Sequence, residues 1–500
     1  MTYGFFNSIS KFLPESFLFL GIVSVIMVSI LFKNKTGLSV YTTISFLILV
    51  LIFTLAQSGL VPQKIFSGIA VIDPFSLFFK ILILVTALFT VYFSFISHEI
   101  ITHENNFPEY FIFILGAVFG GFLMVSSVNL LVSYAGTEIT GICIYFLSSY
   151  IKGSKRLSEA SVRNITFGII SSGCMLFGIS ILYGLCGTID LFEISSFLSV
   201  NTVNTITLLI SVLLILTGFS YKIMAIPSYF TFPAIYESSP LPVPALISTT
   251  ILVSGMGLMI RFFFTAFYNP VSTVQSPDVF NMIHSFPWYS VISIIAVFTI
   301  TLANLAAIAQ DNIKRVMFFI SASQAGYVLL GIVSANPQGL TASLFYILIY
   351  LINTLGLFFC IILITNKFKT ENIHSLKGLV QSAPQLAISF GVFLFSMAGF
   401  PLTAGFTGKF FIFSALMNNG YTWIVIAGAV NMIISLYLVQ KICKNIFFLQ
   451  PFKTREKFTL SSAENSILLV LLTPAIFGGV YFTPLMKLAE LSTVILGLSG

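Results

Sequence analysis

Long apolar segments recur along the whole chain, and they restrict its fold more than any other feature. Hydrophobic residues make up 57% of the 500 residues and charged residues only 8%, whereas a soluble domain carries about 25% charged residues. A helix needs about 20 apolar residues to cross a bilayer. Such segments lie at 15–33, 40–60, 75–97, 109–127, 129–150, 161–186, 205–226, 243–267, 286–308, 315–335, 339–365, 384–418, 421–440 and 465–485. We therefore predict an all-α polytopic membrane protein with about 14 transmembrane helices.

Basic residues are unevenly distributed between the loops. Loops after odd-numbered spans hold most of the lysine and arginine, as in 151–156 and 441–457, whereas loops after even-numbered spans hold little beyond Lys64. Because the cytoplasmic or matrix side carries such an excess, both termini are predicted to face outward. The net charge of +7 thus reports topology. We exclude nucleic-acid binding, which needs the basic residues on one exposed face.

Cysteine and histidine give no sign of a metal site. The five cysteines have no paired spacing, and the four histidines lie in predicted loops. The sequence contains neither a glycine-rich strand-to-helix motif nor a cysteine cluster for an iron–sulfur centre. We therefore expect no metal and no cofactor in this chain.

Lys222 is the most unusual residue of the apolar segments. It follows the apolar run 205–221, and five prolines interrupt the helical pattern between 227 and 244. A charge near the middle of a membrane helix costs about 2.5–3.5 kcal/mol on insertion scales. Irregular backbone at membrane depth is tolerated only inside protein or along a wet cavity. The pattern predicts a functional lysine at a broken helix.

A second segment repeats this pattern. Gly218-Phe-Ser-Tyr-Lys222 is echoed by Gly405-Phe-Thr-Gly-Lys409, and Gly399 and Pro401 interrupt the second segment just upstream. Matching Gly/Pro-interrupted segments in two halves of a chain are typical of transporter repeats, with the site at the interruptions. We therefore place Lys409 beside Lys222 as a candidate site residue.

Glu138 lies in the middle of the fifth predicted span. Tyr134, Gly141 and Tyr145 share its face by helical spacing. One interpretation is a neutral carboxyl held by hydroxyls such as that of Thr137. We favour a functional role, because a buried carboxylate and a buried lysine in one membrane protein can pair.

Other polar residues within the spans have a packing or anchoring interpretation. Asp73 and Lys80, seven positions apart, are predicted to form a packing or interfacial pair. Lys314 and Arg315 open the tenth span, where we favour a positive-inside anchor over a role in proton entry. A third group could line a wet path, although such residues more often join helices; it comprises Ser321, Gln324, Tyr327, Asn353 and Thr354.

Five segments of the chain carry a resemblance to a known family. The first half carries YAGTEITGICIYFL, SEASVRNITFGIISSGCMLFGISILYGLCGT and GFSYKIMAIPSYFTFPAIYESSPLPVPALIS. The second half carries NLAAIAQDNIKRVMFFISASQAGYVLLGI and SMAGFPLTAGFTGKFFIF. These segments resemble the antiporter-like subunit N of respiratory complex I, also called NADH dehydrogenase subunit 2, and the first three resemble its glutamate helix, sixth helix and broken lysine helix. The resemblance covers about residues 73–440, in the order of the family.

This resemblance implies an inverted repeat of two five-helix units. Three N-terminal helices are expected over 1–108, the first repeat over 109–267, the second over 285–441, and a loop with the last helix over 442–500. The two lysine motifs fall on helices seven and twelve, whose opposite parity makes the repeat inverted.

The resemblance also implies roles for individual residues. Glu138 would be the carboxylate of the fifth helix, Lys222 its partner on the broken seventh helix, and Lys409 the terminal lysine on the broken twelfth. The possible supporting residues are Glu237, Lys314, Tyr229, Ser321 and Gln324.

The sequence departs from the family in three places. The lysine expected early in the eighth helix is Leu252, which cannot carry a proton, and Arg261 reads as an interfacial anchor. One interpretation is that water and the hydroxyls of residues 248–250 bridge the gap that Leu252 leaves in the row of proton-carrying groups. The usual His-x-Trp appears as Tyr229 and Thr231, and the aspartate before the Tyr-Glu pair as Ala234.

The function implied by the resemblance is proton translocation in the membrane arm of an H⁺-translocating NADH:ubiquinone reductase. NADH, FMN, iron–sulfur clusters and quinone would belong to other subunits. The expected partners are the other membrane-arm subunits, especially neighbouring antiporter-like and small membrane subunits, and lipids. The alternatives are a structural subunit without pumping, which Leu252 favours, and a subunit of a cation/proton antiporter.

The host membrane is predicted from the N-terminus and composition. Residues 1–17 have neither transit-peptide character nor a cleavable signal pattern. We therefore expect an organelle-encoded protein of the mitochondrial inner membrane, with the bacterial plasma membrane as the alternative.

Overall fold

The structure is a computed structural model that describes residues 8–32, 36–101, 107–150, 155–267, 286–450 and 460–495. Its main helices are α1 Leu13–Leu31, α2 Thr36–Ala56, α3 Pro74–Ile96, α4 Phe107–Ser126, α5 Leu130–Ser148, α6 Lys155–Cys186, α7 Thr205–Ile223, α8 Leu252–Ala266, α9 Trp288–Ile308, α10 Ile313–Val333, α11 Pro337–Phe368, α12 Pro384–Ala398, α13 Ala404–Asn418, α14 Thr422–Cys443 and α15 Ser462–Val480. Short helices Phe232–Ser238 and Pro242–Leu246 join α7 to α8.

The predicted membrane helices are confirmed. Among the described residues, 13 helical segments are long and apolar enough to cross a membrane. The remaining predicted span, 384–418, is built from α12 and α13, which have 15 residues each and are too short to cross alone. Three elements were not predicted from the sequence: the antiparallel strands β1 Gln63–Ile65 and β2 Ala70–Ile72, and the short apolar helix Leu191–Val200.

Asparagine begins several of these helices. The side chains of Asn129, Asn204, Asn312 and Asn336 accept hydrogen bonds from backbone N–H groups in the first turns of α5, α7, α10 and α11. Asparagine is among the best N-cap residues because its oxygen satisfies a donor that the helix leaves free. Polar residues in the short connecting loops therefore fix where the apolar helices start.

Three helical segments form the centre of the molecule. All of Pro242–Ala266, which contains α8, is buried, as are all of α10 except Arg315 and most of α11. By contrast, only 28% of α1 and 22% of α15 are buried within the chain. Buried polar groups on the central helices are consequently surrounded by protein on all sides.

The two predicted helix breaks are present. After α7 the chain turns at Met224, which has φ 58°, and continues through a 3₁₀ turn at Ser228–Thr231. After α12 it turns at Gly399, with φ 87°, before α13 begins at Ala404. A positive φ ends an α-helix without continuing it. Each break thus leaves helix ends inside the apolar region.

Two buried ion pairs correct the sequence analysis. Arg261 is not an interfacial anchor, because it is completely buried and donates from Nη1 and Nη2 to Asp73 at 3.0 and 2.8 Å. Lys80 pairs instead with Glu15 of α1 at 2.5 Å. Asp73 and Lys80 thus each join the α3 segment to a distant helix. Residues 65 and 188 positions apart are joined in this way.

Candidate functional site

Lys222 lies in the last turn of α7, between α5 and α8. Its side chain is buried, with 6% exposure. A Cβ added at Gly141 of α5 would lie 3.0 Å from the Lys222 Nζ, and one added at Gly255 of α8 would lie 3.0 Å from the Lys222 Cβ. The two glycines thus allow the lysine to lie directly against both neighbouring helices.

Glu138 is one helical turn before Gly141, on the helix face that the sequence predicts. It interacts electrostatically with Lys222, Tyr134 and Tyr145. Within the described ranges, no ion pair of 4 Å or less joins Glu138 to Lys222. The carboxylate is only half-buried in the chain, which corrects the expectation of a fully buried glutamate. The pair is close enough to interact but is not held by a direct contact.

Tyrosines surround this lysine. Tyr221, the preceding residue, donates to the Asn164 backbone oxygen of α6 at 3.0 Å and also contacts the Asn164 side chain. Tyr145 interacts with Tyr221 and lies against Gly168 of α6. Hydroxyl groups from two helices therefore extend the polar surroundings of Lys222 and Glu138 towards α6.

Lys409, on α13, has a different environment. It is completely buried, and its Nζ donates to the carbonyl oxygens of Met397 at 2.8 Å and Ala398 at 3.2 Å. These are the last residues of α12, where unpaired carbonyls and the helix dipole favour a positive charge. The ammonium also lies 4.1 Å from the centre of the Tyr327 ring. The second helix break thus provides the partners of its lysine directly.

Lys314, at the start of α10, joins three segments that are far apart in the sequence. Its side chain is 3% exposed and forms ion pairs with Glu99 at 3.0 Å and Glu371 at 2.7 Å. It also donates to the Ser239 carbonyl at 3.0 Å. Next to it, Arg315 contacts Glu237 at 2.5 Å. Lys314, predicted to be a positive-inside anchor, is thus a buried member of a charge cluster.

The other supporting candidates lie apart from the two lysines. Tyr229 stacks on Phe318, with ring centres 6.0 Å apart, in an aromatic cluster. Gln324 accepts a hydrogen bond from Tyr346. The Ser321 Oγ is buried without a well-formed hydrogen bond. The structure places Ser321 and Gln324, but not Tyr229, in a polar region between α10 and α11.

Leu252 is completely buried at the start of α8. Just before it, Ile247–Ile251 has π-helical geometry, which is frequent at functional sites. The Ser248 hydroxyl is 2.6 Å from that of Tyr236, and the Ser248 carbonyl accepts from the Tyr350 hydroxyl at 2.5 Å. Sequence reasoning missed both tyrosines. The spacing of Tyr346, Tyr350 and Thr354, which share one polar face of α11, could have indicated Tyr350 in the sequence.

No metal centre is evident among the residues that the structure describes. Within them, no group of three or more His, Cys, Asp or Glu side chains is placed to hold a metal ion. The candidate site described above consists of ionisable and hydroxyl side chains inside a membrane domain, a combination typical of proton pathways.

Comparison with known proteins gives a family. Residues 127–435 match the family model described as NADH:quinone oxidoreductase/Mrp antiporter, TM. The chain is 36% identical to NADH-quinone oxidoreductase subunit N 2 of Chloroherpeton thalassium, over 98% of this chain and 95% of that protein.

Solved structures share the fold. A chain of respiratory complex I from Thermus thermophilus has a TM-score of 0.78 at 21% identity, covering 95% of this chain and 99% of that one. A chain of the Mrp complex from Dietzia sp. has a TM-score of 0.83 at 18% identity, covering 98% and 99%. The fold alone therefore does not separate the two kinds of complex, whereas the sequence match does. The chain belongs to the NADH-quinone oxidoreductase subunit N family, the antiporter-like membrane subunits of complex I.

Proposed function

We propose that this subunit moves protons across the membrane through Glu138, Lys222 and Lys409. The observation that carries the proposal is the position of Lys222: its Nζ lies against Gly141, one turn from Glu138, without a direct ion pair. A lysine placed in this way can gain or lose its carboxylate partner through a small movement of either helix. Lys409, held by helix-end carbonyls, is the acceptor in the second half.

The proposed cycle depends on changing the separation of Glu138 and Lys222. A carboxylate close to an ammonium favours the charged lysine, whereas burial disfavours it. When the two groups approach, Lys222 takes up a proton; when they separate, it releases the proton towards Lys409. The energy comes from electron transfer elsewhere in the complex, where we place NADH, FMN, the iron–sulfur clusters and quinone.

We further propose that the two helix breaks belong to two inverted five-helix repeats, over 109–267 and 285–441. The breaks support this division because each carries a buried lysine within five residues of Met224 or Ala404. Residues 1–108 and 442–500 flank the repeats.

The charge cluster of Lys314, Glu99 and Glu371 is the proposed proton entrance of the second repeat. Lys314 contacts Glu99 and Glu371, and both carboxylates line a cavity of about 460 Å³ that also includes His98 and Lys369. Carboxylates that contact a buried lysine can pass protons to it. The contact between Glu237 and Arg315 lies beside this cluster and supports its position.

The partners and membrane follow from the family. We propose that the chain packs against the other membrane-arm subunits, including neighbouring antiporter-like and small ones, and lipids. Exposed apolar faces support this, since only 33% of α6 and 33% of the segment Thr422–Phe448 are buried within the chain. The mitochondrial inner membrane is unsupported as a location. Bacterial relatives are common, so we place the chain in a bacterial plasma membrane.

The test is proton pumping per electron pair in the reconstituted complex carrying Lys222→Ala. We expect the complex to assemble and to oxidise NADH with quinone, but to translocate fewer protons per electron pair. The matched control is Lys487→Ala, which removes an exposed lysine of the short helix Thr483–Leu491 and should leave the ratio unchanged.

The same experiment separates the alternatives. An unchanged ratio in an assembled Lys222→Ala complex would show that the subunit is a structural spacer. Purification of the chain with cation/proton antiporter subunits and without redox subunits would assign it to an antiporter. Either result overturns the proposed function.

A further inference from the structure

The chain between the broken seventh helix and α8 is rich in proline. Residues 239–244, here called the proline link, read Ser-Pro-Leu-Pro-Val-Pro, and a proline has no N–H to donate. The Leu241 N–H donates to a distant side chain, Glu99 Oε2, at 2.8 Å. The Ser239 carbonyl accepts from Lys314 Nζ at 3.0 Å. Two peptide groups of the proline link are thus held by side chains from other parts of the chain.

One ion pair provides both contacts. Lys314 Nζ donates to Glu99 Oε1 at 3.0 Å, so the two groups that hold the proline link also hold each other. Glu99 lies just after α3, and Lys314 lies in the first turn of α10. Hydrogen bonds in which one partner is ionised are stronger than neutral ones. The Glu99–Lys314 pair, here called the latch, therefore fixes the proline link against α10.

The proline link lies between two elements that contact the Lys222 region. Before the link, the Tyr236 hydroxyl of the helix Phe232–Ser238 is 3.2 Å from the sulfur of Met224, two residues after Lys222. After the link, α8 carries Gly255, where an added Cβ would lie 3.0 Å from the Lys222 Cβ. Because both elements are attached to the link, a displacement of the link changes the surroundings of Lys222 from two sides.

The latch differs in its exposure from the two ion pairs of the α3 segment. In those pairs the side chains are 0% exposed in one and 2% exposed in the other. In the latch, Lys314 is 3% exposed but Glu99 is 30% exposed, and Glu99 lines the cavity of about 460 Å³. The lysine-rich loops predict that this side faces the cytoplasm. The carboxylate of the latch can therefore exchange protons with the inner aqueous phase.

A second carboxylate allows the latch to open. Lys314 also pairs with Glu371 at 2.7 Å, so two carboxylates share one ammonium and leave one negative charge in excess. When Glu99 binds a proton, the cluster becomes neutral and Lys314 retains Glu371. No buried charge is then left without a partner, which would be strongly unfavourable. Further charged groups around the latch are His98, Lys369, Arg315 and Glu237.

We propose that Glu99 is a positioning residue for Lys222, and that a proton bound by Glu99 releases the proline link. This inference rests on the proposed function of Lys222. The Glu99 carboxylate takes a proton from the inner aqueous phase, an O–H bond forms at Oε1, and the ion pair with Lys314 is lost. Lys314 keeps its own protons and its contact with Glu371. Loss of the same proton closes the latch again. Proton entry on the inner side thus controls the position of Lys222 relative to Glu138.

Glu99→Gln tests this role, because it has the size of a protonated glutamate but can neither bind nor release a proton. A purely structural Glu99 would tolerate this change, since the amide oxygen still accepts from the Leu241 N–H. We expect the protons translocated per electron pair to fall towards the value of Lys222→Ala, while quinone reduction in uncoupled membranes continues. The matched control is Glu159→Gln, since Glu159 also forms an ion pair, with Arg163 at 2.9 Å, but within α6.

Glu371→Gln gives a second result that a structural role would not produce. It leaves Lys314 with Glu99 as its carboxylate partner, so a proton on Glu99 would leave a buried ammonium unpaired. Opening the latch should then require a higher proton concentration. We expect the pH profile of the proton ratio to shift to lower pH when the pH is varied on the side where NADH is added. A profile identical to that of the unmodified complex would overturn the proposal.

Hydrogen exchange provides a measurement that needs no variant. The Leu241 N–H is bound to Glu99, so its exchange reports whether the latch is closed. Mass spectrometry of peptides covering 237–247 should show faster exchange during NADH oxidation than in the resting complex, whereas peptides of the buried α8 should exchange equally in both. Equal exchange of 237–247 overturns the proposal even if Glu99→Gln lowers the ratio, because Glu99 would then belong only to the proton entrance.

The failure of this inference is distinct from that of the proposed function. If Lys222→Ala lowers the proton ratio but Glu99→Gln does not, the proposed function stands and the inference is wrong. If Lys222→Ala leaves the ratio unchanged in an assembled complex, the proposed function fails and the inference fails with it.

Discussion

The two broken helices hold their lysines in different ways. Lys222 precedes its break and lies against a glycine of α5, near a carboxylate that it does not contact directly. Lys409 follows its break and donates to two carbonyls at the end of α12. A carboxylate can move or change its charge, whereas backbone carbonyls at a helix end are fixed. Under the proposed function, the first lysine would therefore be the switched group and the second a permanent acceptor.

Of the variants that test this comparison, Glu138→Gln is expected to have the largest effect on proton translocation. This change keeps the shape of the side chain and removes the charge that acts on Lys222. We expect proton translocation per electron pair to fall as far as in Lys222→Ala. Combining the two changes should produce no further loss, because residues that act as a unit are not additive. Proton uptake during NADH oxidation by proteoliposomes measures both.

Glu193→Gln is the control for Glu138→Gln. Glu193 is an exposed acid in the short helix Leu191–Val200, so its neutralisation should leave the proton ratio unchanged. A normal ratio in Glu138→Gln would contradict the idea that the first lysine is switched by its carboxylate.

A smaller effect is expected from Gly399→Ala at the second break. Its φ of 87° is unfavourable for any residue with a Cβ, and the added methyl would lie 2.8 Å from the Met432 Cε and 3.2 Å from the Lys409 Cδ. A left-handed conformation costs about 1–2 kcal/mol, and overpacking adds about 1–3 kcal/mol. We expect a lower midpoint in thermal unfolding of the purified complex.

Gly420→Ala provides the matched control for this position. Gly420 has φ 78° but has no atom within 4 Å of an added Cβ, so it reports the backbone cost alone. Equal destabilisation of the two variants would show that Lys409 is not tightly packed against Gly399. That result would contradict the view that Lys409 is held more rigidly than Lys222.

Membrane spans and helix breaks were predictable because they depend on neighbouring residues. Apolar length fixes a span, and Gly399 with Pro401 marks the second break in the sequence itself. The face shared by Glu138 and Gly141 follows from helical spacing. These features need no knowledge of which helices touch.

The partners of buried charges were not predictable in this way. Arg261 appeared to be an anchor because it lies near a helix end, yet Asp73, 188 positions earlier, neutralises it. Lys314 looked like a topological signal but is enclosed by Glu99 and Glu371. Such contacts depend on how distant helices pack, and sequence spacing within one helix contains no information about that.

The smallest effect is expected where Tyr327 contacts Lys409. Tyr327→Leu removes the ring 4.1 Å from the ammonium, whereas Tyr327→Phe keeps the ring and loses only the hydrogen bond to the Gly428 carbonyl at 3.1 Å. A buried cation over an aromatic face gains about 0.5–2 kcal/mol. The leucine variant should therefore unfold in SDS more easily than the phenylalanine variant by about that amount. Combining each with Lys409→Met should abolish the difference, because the cation is then absent. If the difference persists without the lysine, the ring only fills space, and the carbonyls of α12 alone hold Lys409.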